Sequence, residues 1–290
     1  MIEDRLKQGK RLLMQFVFFL LQNPFLKNFI TGRIYQGKIK LLCTPGLNCY
    51  SCPAAAASCP IGAAQFFLAG IKTSVSLYIT GFLMIIGVMF GRFICAYVCP
   101  MGLLQDLLHR IKTPKLILRF RFLRYLKYII LVVFVILLPA LAVEEITGIG
   151  ETWFCKYICP SGTIFGAVPL LLVNNFLRQL ISTQFIFKIS IAAGITTAAI
   201  FIYRVFCRVL CPLGAIYALF NKISILHIHC EKEKCVSCGA CSKECQIMIN
   251  PSSHPNDFEC VRCGKCVKTC KSKALAYKIS GTKTAATAKL

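Results

Sequence analysis

The sequence predicts a mainly α protein: a polytopic transmembrane helical domain built as an internal two-fold repeat, followed by a small α+β domain at the C-terminus. Three observations carry this prediction. The 290 residues are 57% hydrophobic with a mean hydropathy of +0.67, and apolar runs such as 128–143 and 185–203 approach the length needed to cross a hydrocarbon core about 30 Å thick. A cysteine-bearing element at 92–102 recurs at 204–214. From Cys230 onward the chain turns polar, charged and cysteine-rich, with no run long enough to span a bilayer.

The net charge of +23 raises nucleic acid as a partner, but the basic residues sit beside apolar runs. Arg110, Lys112, Lys115, Arg119, Arg121, Arg124 and Lys127 precede one of them, the pattern of cytoplasmic loops. No recognition signature for nucleic acid accompanies the charge, so membrane lipid is the expected partner. At the N-terminus, Arg5, Lys7, Lys10 and Arg11 precede an apolar stretch with no small-residue cleavage site after it, which reads as an uncleaved anchor.

In chain order, residues 12–30, interrupted at Asn23-Pro24, either cross the membrane with a kink or lie along its surface. A loop rich in Cys, Pro and Ala covers Cys43 to Pro60, and Phe66 to Phe90 forms a span whose cytoplasmic end is marked by Arg92. Residues 122–143 cross back to meet Glu144 and Glu145 on the far face. The outward loop holds Trp153, Cys155 and Cys159. Residues 162–177 are short and interrupted by Pro169, and because Arg204, Arg208 and Lys222 require a return to the cytoplasm after the span Phe185 to Tyr203, parity makes 162–177 re-entrant or interfacial. The expected organisation is a membrane domain over 1–226, with repeat units at about 43–113 and 144–226, a second domain over 227–278, and a disordered tail over 279–290. This places the chain in the cytoplasmic membrane as a multi-pass protein, its C-terminal domain on the cytoplasmic side.

Nineteen cysteines fall mostly in short clusters, which suit metal thiolate ligation better than a disulfide framework. Arg92-Phe-Ile-Cys95-Ala-Tyr-Val-Cys99-Pro100-Met-Gly102 matches Arg204-Val-Phe-Cys207-Arg-Val-Leu-Cys211-Pro212-Leu-Gly214. A second pair, Cys59-Pro-Ile-Gly62 and Cys159-Pro-Ser-Gly162, precedes apolar regions in each half. A C-x3-C spacing on one helical turn points two sulfurs the same way, proline interrupts the helix after the second, and glycine admits close approach. The order is the same in both halves, so the repeat axis runs along the membrane normal. Cys95, Cys99, Cys207 and Cys211 then supply the four thiolates of one inner cubane. On the outward side, Cys59, Cys155, Cys159 and one further thiol form a second set, with Cys52 the first choice for the fourth; Cys43 and Cys49 stand as alternatives, as ligands or as a disulfide.

Cys235-x2-Cys238-x2-Cys241-x3-Cys245 is followed by Cys260-x2-Cys263-x2-Cys266-x3-Cys270, the ligand spacing of bacterial ferredoxins with two [4Fe–4S] clusters. The fourth cysteine of each run serves the other cluster. One cube therefore takes Cys235, Cys238, Cys241 and Cys270, and the other takes Cys260, Cys263, Cys266 and Cys245. Gln246 and Lys271 stand where proline usually follows the fourth cysteine. His227 and His229 alternate on a short apolar stretch and read as structural, and Cys230 reads as a spare thiol.

The C-x3-C-P elements at Cys95 and Cys207, the double run from Cys235, and the segment Cys43-Thr-Pro-Gly-Leu-Asn-Cys49-Tyr-Ser-Cys52-Pro53 resemble the polyferredoxin-type 4Fe–4S integral membrane proteins of the NapH, NosR and CcoG kind, over most of the chain from about residue 30. The resemblance implies electron transfer, but no flavin attachment motif and no added C-terminal domain point to one branch. No acid–base or nucleophile motif suggests bond-making chemistry, so the expectation is an electron carrier, or an electron-transfer subunit of an oxidoreductase, that relays electrons from a cytoplasmic donor to a membrane or extracytoplasmic partner. Redox sensing, metal reduction during assembly, and a quinone-reactive role in a larger complex are the rival readings. Clusters on opposite faces of the membrane would lie too far apart for efficient single-step transfer, which calls for deep placement or a further cofactor.

Overall fold

The computed structural model describes residues 2–70, 76–116, 121–142, 150–179 and 181–280. Glu144 and Glu145, and all but the first two residues of the expected tail, lie outside them.

Helix α1 (Ile2–Gln22) stops where Asn23 precedes Pro24, because a proline ring disfavours helical backbone at the residue before it. The Asn23 amide turns back to Phe19 O at 3.0 Å. The polar stripe of α1 faces inward: Gln15 Nε2 donates to Ala96 O and Gln22 Nε2 to Val98 O, both at 2.8 Å, while Leu13, Phe16 and Leu21 are exposed. Polar groups directed at protein and apolar groups directed outward suit a lipid surround.

After α2 (Asn28–Thr31), an irregular cysteine-rich stretch leads to α3 (Pro60–Leu68) and α4 (Leu77–Phe90). The single span expected over Phe66 to Phe90 is therefore corrected to two helices, α3 ending just ahead of Gly70. Helices α5 (Phe93–Tyr97) and α6 (Pro100–Leu108) follow, then α7 (Phe122–Leu141), α8 (Phe154–Ile158), α9 (Gly162–Val173), α10 (Asn175–Gln179), α11 (Thr183–Phe201), α12 (Val205–Val209) and α13 (Pro212–Phe220). Within α7 and α9, wider π-helical stretches at Leu131–Leu137 and Gly162–Ala167 run into Pro139 and Pro169. The missing N–H and the ring bulk of proline displace the preceding carbonyls, and the helix widens to accommodate them.

Among the described residues two helices, α7 and α11, are long and apolar enough to cross a membrane, and α4 and α9 are shorter. Only 22% and 17% of their apolar windows are buried, which separates them from the core helices of a soluble fold. Leu77, Phe122, Leu141 and Phe176 add to an exposed apolar surface that a lipid environment would cover. The core between the helices gathers Leu47, Cys59, Cys95, Cys99, Phe154, Cys159, Phe206, Cys207, Cys211 and Tyr217 into one buried cluster.

The C-terminal portion is framed by two antiparallel strands, β1 (Leu226–Cys230) and β2 (Leu275–Ile279), in register Leu226↔Ile279 to Cys230↔Leu275. Between them lie two short helices, α14 (Ala240–Lys243) and α15 (Lys265–Thr269). Positive φ recurs at matched places in the two cysteine runs: Ser237, Gly239 and Met248 in the first, Arg262, Gly264 and Lys273 in the second. Equal spacing of the cysteines thus comes with an equal backbone path.

Candidate metal centres

In the C-terminal portion, that shared path produces two cavities. One is lined by Cys235, Cys238, Cys241 and Cys270. The other is lined by Cys245, Cys260, Cys263 and Cys266. The thiols are thus brought together crosswise, the last cysteine of each run facing the first three of the other. Gly239 and Gly264 precede α14 and α15 with φ of 70° and 75°, a left-handed turn that glycine adopts freely. Cys238 is exposed, whereas Cys260 and Cys266 are buried. Burial accordingly pushes the Cys260 thiol up to about 12. Cys270 behaves oppositely: its partial burial is outweighed by the Ser272 hydroxyl and the N–H groups of Leu275, Ala274 and Ser272, which hold it below the usual thiol value. Cys230 sits beside Cys235 and lines neither cavity, and His227 Nδ1 is 3.1 Å from Ile225 O.

In the helical portion, Cys95, Cys99, Cys207 and Cys211 lie within electrostatic reach of one another. The expectation that each C-x3-C rides one helical turn is corrected. Cys95 belongs to α5, whereas Cys99 is extended (φ −74°, ψ 122°) and caps the N-terminus of α6, with Pro100 as its first residue. Cys207 and Cys211 repeat this arrangement at α12 and α13. Proline has no N–H to satisfy at that position, and the next free N–H groups turn to sulfur, as Gly214 N does to Cys211 Sγ at 3.4 Å. A helix N-terminus favours an anionic thiolate.

Two buried arginines cross between the elements. Arg92 Nη2 donates to Cys207 O at 3.0 Å, and Arg204 Nη1 donates to Cys95 O at 2.7 Å. Each arginine precedes one C-x3-C pair and grips the first cysteine of the other. Both are fully buried, Arg92 against Glu259 and Arg204 against Asp106. They place positive charge where a four-thiolate cluster would carry negative charge.

The second set forms on Cys59, Cys155 and Cys159, and the fourth thiol within reach of all three is Cys49. A Cβ on Gly162 would stand 3.5 Å from Cys49 Sγ, and one on Gly62 would stand 3.7 Å from Cys155 Sγ. Cys52, the first choice from the sequence, instead turns toward Asn23 Oδ1 at 3.7 Å and packs with Ala54, Ala55 and Phe29. Cys43 pairs its backbone with Ser58 and is free, as is Cys49. Beside Cys159, the hydroxyls of Ser161 and Thr163 are buried without a hydrogen-bond partner, which fits an acceptor such as cluster sulfide. Among the described residues no group of three or more His, Cys, Asp or Glu converges on one metal-ion position, whereas zinc would need its sulfurs about 2.3 Å from a single point.

The two sets of the helical portion are also close to each other. Leu47 N donates to Cys99 Sγ at 3.4 Å, and Cys49 follows two residues later, a stretch of chain that spans at most about 7 Å. Tyr217, fully buried with its hydroxyl on Pro45 O at 2.9 Å, faces Cys59 as well as Cys95, Cys99 and Cys211. The segment Pro45–Cys49 therefore brings the second thiol set close to the first. On the other side, Tyr97, between Cys95 and Cys99 in the chain, donates to Cys263 O at 3.4 Å.

Sequence reasoning missed Gln65 and Gln105, both fully buried. Gln105 Nε2 lies 3.0 Å from Cys207 Sγ, and Gln65 Nε2 lies 3.7 Å from Cys155 Sγ. The signal was present as Cys-Pro-x-Gly-x-x-Gln, which occurs at 59–65 and again at 99–105.

Comparison with known proteins covers part of these residues, Cys95, Cys99, Cys155, Cys159, Cys207 and Cys211 among them. Segments 74–122, 128–178 and 185–228 match a family model described as a 4Fe–4S binding domain. An uncharacterised protein of Methanocaldococcus jannaschii is 26% identical over 76% of this chain and 85% of its own length. YccM of Escherichia coli, named as a candidate electron transport protein, is 23% identical over 63% of this chain and 48% of its own. The regulatory protein NosR of Pseudomonas aeruginosa is 29% identical over 54% of this chain and 20% of its own. No solved structure matches the chain. Thiol geometry and family matches together define an iron–sulfur protein of the electron-transfer class with a ferredoxin-like 4Fe–4S domain. Three segments of the chain thus match the 4Fe–4S binding domain family, the chain is similar to proteins of the electron-transport and NosR kinds, and its two exposed apolar helices associate it with membrane.

Proposed function

We propose that this protein is a multi-pass relay of the cytoplasmic membrane, holding four [4Fe–4S] clusters in series between a cytoplasmic donor and a membrane or extracytoplasmic acceptor. The observation that carries this reading is the spatial order of the thiol sets. The set of Cys235, Cys238, Cys241 and Cys270 has an exposed edge at Cys238. The set of Cys245, Cys260, Cys263 and Cys266 adjoins Tyr97. The set of Cys95, Cys99, Cys207 and Cys211 comes next, and Cys49, Cys59, Cys155 and Cys159 lie beyond it across Leu47 and Tyr217. When bound, such clusters supply one-electron transfer, with potentials set by charge, hydrogen bonds to sulfur and exposure.

The residues of the chain do the remaining work. Arg92 and Arg204 hold the two halves of the inner set in fixed register, and their reciprocal contacts favour an internal two-fold repeat within 1–226. Burial keeps water from the inner two sets, and the domain from about residue 227 presents the exposed set to soluble partners. Because the sets adjoin one another, a bridging quinone, flavin or haem is not needed by this arrangement.

The test is iron and acid-labile sulfide per chain after anaerobic purification in detergent. Wild type should carry about sixteen iron, and Cys99→Ala with Cys211→Ala should lose about four. Cys49→Ala should lose about four while Cys52→Ala retains all. About eight iron, unchanged in every variant, would reduce the protein to a tethered ferredoxin.

A further inference from the structure

We propose that Gln65 and Gln105 are matched positioning residues, each donating an amide N–H to one cysteine sulfur of a membrane-domain cluster and so setting that cluster's reduction potential. The inference rests on the reading that these two thiol sets hold clusters.

The two glutamines occupy the same place in the same element, six residues after the capping cysteine, on helices α3 and α6. Each makes the same pair of contacts. Gln105 Oε1 accepts from Phe206 N at 3.1 Å while Nε2 faces Cys207 Sγ at 3.0 Å. Gln65 Oε1 accepts from Phe154 N at 3.1 Å while Nε2 faces Cys155 Sγ at 3.7 Å. One amide thus spans the backbone N–H of a phenylalanine and the sulfur of the cysteine that follows it. The orientation of the amide is settled by chemistry: a backbone N–H only donates, so the oxygen must face it and the NH2 group is left for sulfur. In Gln105 the second amide hydrogen goes to Met101 O at 3.2 Å.

The equivalent positions in the facing elements are Phe165 and Tyr217, which have no amide. Each thiol set therefore receives one glutamine, always from the first half of the chain and always onto the first cysteine of a C-x3-C pair from the second half. A glutamine serving only to brace the turn would need its oxygen alone. The nitrogen aimed at sulfur adds a side-chain donor to the backbone N–H groups that reach the capping cysteines, and an N–H···S bond stabilises the more negative, reduced state. The shorter contact at Gln105 predicts the larger effect at the inner set.

The experiment uses the full chain in detergent, with redox titration monitored by electron paramagnetic resonance for wild type, Gln105→Met, Gln105→Glu and Gln65→Met. Glutamate keeps the oxygen that holds Phe206 N and removes the N–H donor. The expected result is a shift to more negative potential of one cluster only, the inner one for both Gln105 variants and the outer one for Gln65→Met, with iron held at about sixteen per chain. Unshifted potentials at full iron content, or an equal shift of all clusters, would overturn the inference. Should a variant lose its cluster, the reduced wild type grown with 15N-glutamine decides: pulsed resonance should show a glutamine nitrogen coupled to a membrane-domain cluster, and its absence overturns the proposal. Wild-type iron of about eight would instead sink the cluster reading on which it rests.

Discussion

Asp106 lies between Arg204, Arg11 and the amide of Gln15, with Arg204 Nε at 2.9 Å and Arg11 Nη2 at 2.8 Å. Burial alone would raise its carboxyl, but the two guanidiniums and the amide outweigh it and hold the group below the usual carboxylate value. A carboxylate depressed in the folded state contributes stability above its unfolded pKa of about 3.9, and that contribution is lost as pH falls through the folded value. Asp106→Asn leaves Arg204 and Arg11 without their counter-charge and should cost about 3–5 kcal/mol near neutral pH. The difference from wild type should shrink as pH drops below about 4, read by thermal unfolding in detergent at several pH values. A pH-independent difference would mean that the carboxylate contributes packing and not charge. At this scale the sequence was partly legible. The crosswise grouping of the cysteines around two cavities follows from spacing within one short segment, whereas the approach of Cys49 to Cys59, Cys155 and Cys159 depends on a loop folding against α9, a contact that no local spacing encodes.

The recurring element, a short helix ending before an extended cysteine that caps the next helix at proline, makes demands on its glycines that differ by position. A Cβ on Gly102 would meet Cys95 O at 2.7 Å, and one on Gly214 would meet Cys207 O at 3.0 Å, whereas Gly81 in α4 has nothing within 4 Å. In the first case backbone must shift, which costs about 1–3 kcal/mol and moves a sulfur, whereas at Gly214 the neighbouring carbonyl need only give slightly. Gly102→Ala should therefore lower iron content by about four atoms per chain and lower the melting temperature, while Gly81→Ala leaves iron content unchanged. Full iron in Gly102→Ala would show that the cysteine pair tolerates displacement. The proline and glycine of this element were readable in the sequence. The division of C-x3-C between two helices was also readable, because Pro100 and Pro212 disfavour helical backbone at Cys99 and Cys211, which precede them, and both cysteines are extended. The break between α3 and α4 was signalled in the sequence by Gly70 and the polar stretch Lys72-Thr73-Ser74 between two apolar runs.

For the molecule as a whole, function requires the C-terminal domain to stay seated on the helices, and the seat is built from buried charge. Glu259 lies between Arg92 and Lys127, both cations fully buried. Around it, Asn221 Nδ2 reaches Asp257 O at 2.9 Å and Cys260 O at 2.7 Å, and Arg124 Nη2 reaches Ile247 O at 3.0 Å. Removing the central carboxylate should act strongly, because it leaves two cations in low dielectric without a partner. Glu259→Ala is expected to cost about 3–5 kcal/mol and to expose the connection near residues 222–226 to trypsin, releasing a fragment that still holds about eight iron. A second substitution separates charge from shape. Lys127→Met removes one of the stranded cations at similar volume, so the double variant should recover part of the lost protease resistance, and the two effects should not add. Additive losses would mean that Glu259 and Lys127 stabilise independent parts of the structure, and the ferredoxin-like domain would then be held by its backbone hydrogen bonds. With the pair coupled, the same contact that seats the domain also fixes Arg92 on Cys207 O, so loosening the seat should slow reduction of the inner set by an added soluble reductant while reduction of the exposed set at Cys238 stays fast.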